Sequence, residues 1–123
     1  MTRVLIVDDQ PLFRRHLRQL LTFAGLKVVG EAGDIPGARK LVQKLRPELA
    51  VVDVMLPGES GIEGTPQLKA LVPDLRVILI SAHPDRAQIL HQSAAEAGAE
   101  AFFAKDDLDL AVVKKWVERA SSG

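Results

Sequence analysis

The chain has 123 residues, no cysteine, and 16 basic against 16 acidic side chains, for a formal net charge of zero. That length suits one domain able to bury about two thirds of its unfolded surface, and the charge balance argues against a general basic field for nucleic acid. The lack of cysteine excludes disulfides and thiolate metal sites, and the opening apolar run at 4–7 is too short for a signal peptide or a membrane span, so a cytoplasmic protein is expected.

Residues 4–7 form a continuous apolar run that ends on Asp8 and Asp9, the pattern of a strand buried on both faces of a parallel sheet. Pro11 suits the first position of a helix, where its missing N–H costs little. Leu12, Phe13, Leu17, Leu20, Leu21 and Ala24 follow at helical spacing, and Gly25 suits the stop. Residues 27–32 read as a second, more exposed strand. Asp34 is placed to cap a second helix with a stripe of Ala38, Leu41, Val42 and Leu45, closed by Pro47. Residues 49–52 are a third strand, ending on Asp53.

After the Pro57-Gly58 turn, the spacing predicts a short third helix over 65–72 with Thr65 as N-cap and Pro66 at its first position. A proline further inside would cost a hydrogen bond and a clash. The segment before it, 59–64, is then expected to be a loop. Residues 75–80 read as a fourth strand ending at Ser81, and Pro84 opens a fourth helix carrying Ile89, Leu90, Ala94 and Ala97. Residues 101–104 are a fifth strand ending at Lys105. A last helix carries Val112, Val113, Trp116, Val117 and Ala120 on one face. The domain is expected to span 1–120, with 121–123 as a frayed tail or the start of a linker.

Five strands alternating with five helices imply an α/β fold, a doubly wound parallel sheet covered on both faces. Sites in such folds lie outside the carboxyl ends of the strands. Four strand ends deliver polar groups there: Asp8 and Asp9, Asp53, Ser81 and Lys105. Three converging carboxylates repel one another, which a hard divalent cation such as magnesium resolves. Lys105 adds a positive charge and Ser81 a hydroxyl donor, a set suited to a tetrahedral anion bonded to one carboxylate. Each residue alone has a blander reading: a loop aspartate, a solvated lysine, a turn serine. Their agreement at several strand ends carries the argument. His16 and His91 read as helix-surface residues, and Trp116 as core.

The segment running from Arg3 through Asp8-Asp9-Gln10-Pro11-Leu12-Phe13 to Arg14 resembles the opening of response-regulator receiver domains. Val52-Asp53-Val54-Met55-Leu56-Pro57-Gly58 with Gly61, then Ile80-Ser81-Ala82, then Gly98-Ala99 through Phe102-Phe103-Ala104-Lys105, resemble the rest of that family's pattern in order. Val29-Gly30-Glu31-Ala32-Gly33-Asp34 and Lys105-Asp106 are most similar to the subclass that precedes a LuxR-type helix-turn-helix domain.

The resemblance implies a CheY-like, flavodoxin-like fold with strand order 2-1-3-4-5. It implies a switch rather than an enzyme, apart from self-phosphorylation and autodephosphorylation. Asp53 would be the phosphoacceptor. Asp9 and Asp53 would bind Mg2+ with the backbone carbonyl of Met55, and Asp8 would act through water. Lys105 would contact the phosphoryl group. Ser81 would hydrogen-bond it, and Phe102 would swing with the Ser81 loop. The implied partners are a sensor histidine kinase or phosphotransfer protein, and a second copy meeting through the fourth helix, fifth strand and fifth helix. No nucleic acid or membrane contact is implied for the domain itself, and transcription is one output. The competing reading is a phosphorylation-independent interaction module that keeps the fold. A magnesium-dependent phosphohydrolase is a third, but it would need a carboxylate where Met55 stands.

Overall fold

Each apolar run of the sequence becomes a strand because β-branched side chains fit a pleated surface buried from both sides. The computed structural model describes residues 1–82 and 87–121. The strands are β1 (Arg3–Val7), β2 (Lys27–Ala32), β3 (Leu49–Asp53), β4 (Arg76–Ser81) and β5 (Ala101–Ala104). They pair in parallel in the order β2-β1-β3-β4-β5. The connecting helices are α1 (Pro11–Phe23), α2 (Ile35–Leu45), α3 (Gly61–Leu71), α4 (Ala87–Ala97) and α5 (Leu110–Ser121). The β1–β2 register shifts by one residue between Val4 and Leu5. The proposed helix start at Pro84 lies outside the described residues. The last helix runs to Ser121, and 122 and 123 lie outside the described residues.

Alternation along the strands divides the core in two. Leu5, Val7, Ala50, Val52, Val77, Leu79 and Phe102 face α2, α3 and α4, where Ile35, Ala38, Val42, Leu68 and Ala94 meet them. Val4, Ile6, Val51, Ile78 and Ile80 face α1 and α5, meeting Leu17, Leu21, Val113 and Trp116. Trp116 is core, as expected, with Phe103 packed 5.8 Å from its ring. Leu12 and Ile89 depart from the predicted stripes: they are 82% and 70% exposed. Each sits beside a second apolar residue, Phe13 or Leu90, and a helix turns adjacent positions about 100° apart, so only one of each pair can face the sheet. No described helix is long and apolar enough to cross a membrane.

The third helix corrects the sequence reading. It begins at Gly61, one turn before Thr65, and runs through Pro66. Ser60, not Thr65, is the N-cap: its side chain accepts from the Glu63 N–H at 3.1 Å while Glu63 accepts from the Ser60 N–H at 3.3 Å. This capping box offsets part of what Pro66 costs. Thr65 instead turns its buried hydroxyl back onto the Gly61 carbonyl at 2.8 Å. Close packing also fixes the early start. A Cβ on Gly61 would stand 2.2 Å from the Asp53 carbonyl oxygen, and one on Gly64 would stand 2.2 Å from Ile35. The Gly61 N–H donates to the Val54 carbonyl at 3.0 Å. The first turn of α3 is therefore docked on the end of β3.

Pro66 is exposed and denies the Ile62 carbonyl its usual partner. Pro66→Ala should stabilise the fold by about 1–3 kcal/mol, read as a higher urea midpoint. An unchanged or lower midpoint would show that the proline is favourable where it stands.

Candidate functional site

The parallel register puts the predicted strand ends side by side. Val7 pairs with Val52, Asp53 with Ile80, and Ser81 with Ala104. Asp8, Asp53, Ser81 and Lys105 therefore share one edge of the sheet. Asp8, Asp53 and Ser81 are buried, while Asp9 is exposed at the rim. One carboxylate oxygen from each of Asp8, Asp9 and Asp53 lies within 4.8 Å of the others.

Asp8 and Asp53 are held in the same way. Each accepts a backbone N–H from two residues on: Gln10 to Asp8 Oδ1 at 2.8 Å, and Met55 to Asp53 Oδ1 at 3.0 Å. These side-chain-to-backbone turns fix both carboxyl groups. The other oxygen of each faces Lys105, whose Nζ lies 2.7 Å from Asp8 Oδ2 and 2.9 Å from Asp53 Oδ2. The Asp8 contact is an ion pair rather than an aligned hydrogen bond, and Asp8 Oδ2 is buried with no hydrogen-bond partner among the described residues. Three carboxylates served by one ammonium form an oxygen donor set that fits a hard cation or its bound water.

Burial pushes the Asp53 carboxyl above its ordinary value. The hydrogen bonds from Lys105 and the Met55 amide and the Lys105 charge pull it down, and Asp8 adds to the rise. Burial would lower Lys105, but its two carboxylate partners outweigh this and hold the ammonium above the ordinary lysine value. A partly desolvated carboxylate beside a retained ammonium is a perturbed pair of the kind that clusters at functional sites.

Residues 4–115 match the family described as the response regulator receiver domain. The chain belongs to that family. The receiver domain is 39% identical over 107 residues to the DNA-binding transcriptional activator DevR/DosR of Mycobacterium tuberculosis, covering 86% of this chain and 48% of that one. It thus spans about half the length of this relative, and 51% of the NarL relative from the same species, to which it is 37% identical over 113 residues. The solved signal receiver domain of NarL from M. tuberculosis superposes with a TM-score of 0.85 at 33% identity, over 99% of this chain and 97% of that one. A CheX-CheY-BeF3-Mg complex from Borrelia burgdorferi superposes with a TM-score of 0.85 at 27% identity, covering 97% and 88%.

The receiver fold brings Asp8, Asp9, Asp53 and Lys105 together and puts Ser81 on the same edge of the sheet. Met55 is exposed, and its amide, through Asp53, is the atom that joins the network. Phe102 is 6% exposed and already packs into the core, its ring edge-on to His91 at 4.7 Å. His91 is on the surface as expected, but it covers Phe102.

Sequence reasoning missed a second tier. Arg14 Nη1 donates to the Asp8 carbonyl at 2.5 Å, and its Nε reaches Glu31 at 3.1 Å; Arg18 also meets Glu31, at 2.7 Å. The Phe13 ring lies 4.1 Å from Lys105 Nζ, and Gln10 Oε1 accepts from it at 3.4 Å. Three arginines within five positions gave no sign of which one reaches the site.

Lys105→Met should leave Asp8 and Asp53 facing each other without a cation, at a cost of about 3 kcal/mol. Asp8→Asn in the same chain should recover part of it. Urea unfolding of the single and double variants measures the coupling, and strictly additive effects would mean that the ion pair contributes nothing.

Proposed function

We propose that this receiver domain, taken as residues 1–120, is a phosphoacceptor switch in which Asp53 takes a phosphoryl group from a sensor histidine kinase or phosphotransfer protein. The observation that carries this reading is the Lys105 ammonium shared by Asp8 and Asp53 beside a third carboxylate. An Asp53 oxygen attacks phosphorus as the phosphorus–nitrogen bond to the donor imidazole, protonated on its other ring nitrogen, breaks, giving an acyl phosphate and a neutral imidazole. Lys105 exchanges a carboxylate partner for the phosphoryl oxygens and neutralises their charge. Magnesium fits the donor set: Asp9, Asp53 and the Met55 carbonyl would hold it, with Asp8 acting through water, and it would supply charge neutralisation for the phosphoryl group. The magnesium and BeF3 in the CheY relative's complex support this choice.

The added dianion attracts the Ser81 hydroxyl, and Phe102 behind it relays the shift to the surface of α4, β5 and α5. That surface is where a homodimer or an output partner would form. Hydrolysis of the acyl phosphate resets the switch, so its chemistry is self-phosphorylation and autodephosphorylation only. A zero net charge gives the domain no general attraction for nucleic acid. Control of transcription would run through a separate output domain, as the DNA-binding relative suggests, in a cytoplasmic protein. A purely phosphorylation-independent module has no observation in its favour, since it would not need Asp53 and Lys105 together.

Phosphoramidate with magnesium should add one phosphoryl group, seen by intact mass, and Asp53→Asn should add none. Full labelling of the Asn variant would refute the assignment. Magnesium at a hundred times its dissociation constant should raise unfolding stability by about 2.7 kcal/mol, and Asp9→Asn should remove most of that shift. Equal shifts in both proteins, measured against an ionic-strength control, would place the metal elsewhere.

A further inference from the structure

Lys105 opens a short 3-10 turn, Lys105–Asp107, directly after β5. Its neighbours Asp106 and Asp107 are exposed, yet its own side chain is only 8% exposed. A lysine in such a turn ordinarily extends into solvent, because its ammonium is strongly hydrated and its stem is flexible. Something must hold it inward. Asp8 and Asp53 attract it, but the attraction of two carboxylates alone leaves the ammonium free to tilt between them or toward water. The third wall comes from α1. The Phe13 ring faces Nζ at 4.1 Å from its centroid, and Gln10 Oε1 accepts weakly at 3.4 Å. Phe13 itself is half-buried and packs against the core between α1, α5 and the sheet, which holds its ring independently of Lys105.

We propose that Phe13 is a positioning residue for phosphoryl transfer, its ring face holding the Lys105 ammonium over Asp8 and Asp53. An aromatic face suits this task better than another carboxylate would. It attracts the cation through its quadrupole and excludes water. It takes up no proton and claims none of the ammonium N–H groups outright, so Lys105 can pass from a carboxylate oxygen to a phosphoryl oxygen without first breaking a strong bond. Gln10 forms the polar side of the same cage. The proposal rests on the reading of Asp53 as phosphoacceptor.

The test compares wild type with Phe13→Leu, which keeps an apolar side chain without a ring, and with Phe13→Tyr, which keeps the ring. In wild type, NMR should show the Lys105 side-chain methylene protons shifted upfield by the ring current. The shift should vanish in the Leu variant and return in the Tyr variant. With phosphoramidate and magnesium, the maximal labelling rate of the Leu variant should fall roughly three- to thirty-fold, with the donor concentration for half-maximal rate little changed. Phe13→Tyr should restore the rate. A merely structural role would move the unfolding midpoint without this ring-dependent rescue. Normal Lys105 shifts in wild type, or a Leu variant as fast as wild type, would overturn the proposal. A wild type that takes up no phosphoryl group would overturn the phosphoacceptor reading and this proposal with it, whereas labelling unaffected by Phe13 would overturn this proposal alone.

Discussion

One ammonium group organises the carboxyl edge of this protein. Lys105 Nζ is shared by Asp8 and Asp53, each already held on its other oxygen by a backbone N–H. Without that cation, two buried carboxylates at adjacent strand ends would repel at close range, and the register that puts Val7 opposite Val52 would bring the ends of β1 and β3 into conflict. With it, β1, β3 and β5 are tied across the sheet, though β5 is not a direct neighbour of either. The tie is tense by design of its chemistry: one positive charge serves two negative ones, with Asp9 at the rim. Three carboxylates are thus gathered around a single ammonium, which leaves the edge short of positive charge.

Much else follows from keeping that edge fixed. The two-sided core places Phe102 against α4 and Phe103 against α5, so neighbouring residues of β5 report to opposite layers. The early start of α3 has the same effect below the end of β3. Gly61 and Gly64 let helix backbone approach Asp53 and Ile35 more closely than any side chain would permit. The Arg14–Glu31–Arg18 cluster braces the Asp8 turn from α1 and β2.

The four strands that end in the site were legible because two local signals coincided: an uninterrupted apolar run, β-branched or aromatic, then a polar residue where the run stops. Parallel topology turned these scattered ends into one site without any knowledge of side-chain contacts. The third helix was misread because Pro66 was weighed alone, while Ser60 and Glu63 three positions apart form a cap that outranks it. Leu12 and Ile89 were misplaced because a periodic pattern cannot say which of two adjacent apolar residues faces inward. The cage around Lys105 was illegible for a different reason. Gln10 and Lys105 are 95 positions apart, and nothing local in the sequence of α1 tells that Phe13 has a cation over its face.

The one-residue slip between β1 and β2 has a bearing on the company this protein keeps. As a rim strand, β2 presents a row of backbone donors and acceptors that another chain could copy, the route by which sheets of different molecules zip together. Here the ladder changes step between Val4 and Leu5, and the strand carries Lys27 at one end and Glu31, bound to two arginines, near the other. A second molecule seeking to extend the sheet on this side would meet a strand whose own pairing is irregular, with charges at both ends. At the other rim β5 offers only four residues. Both borders of the sheet are thus poor templates, which leaves helical surfaces as the ground on which encounters can be specific and reversible.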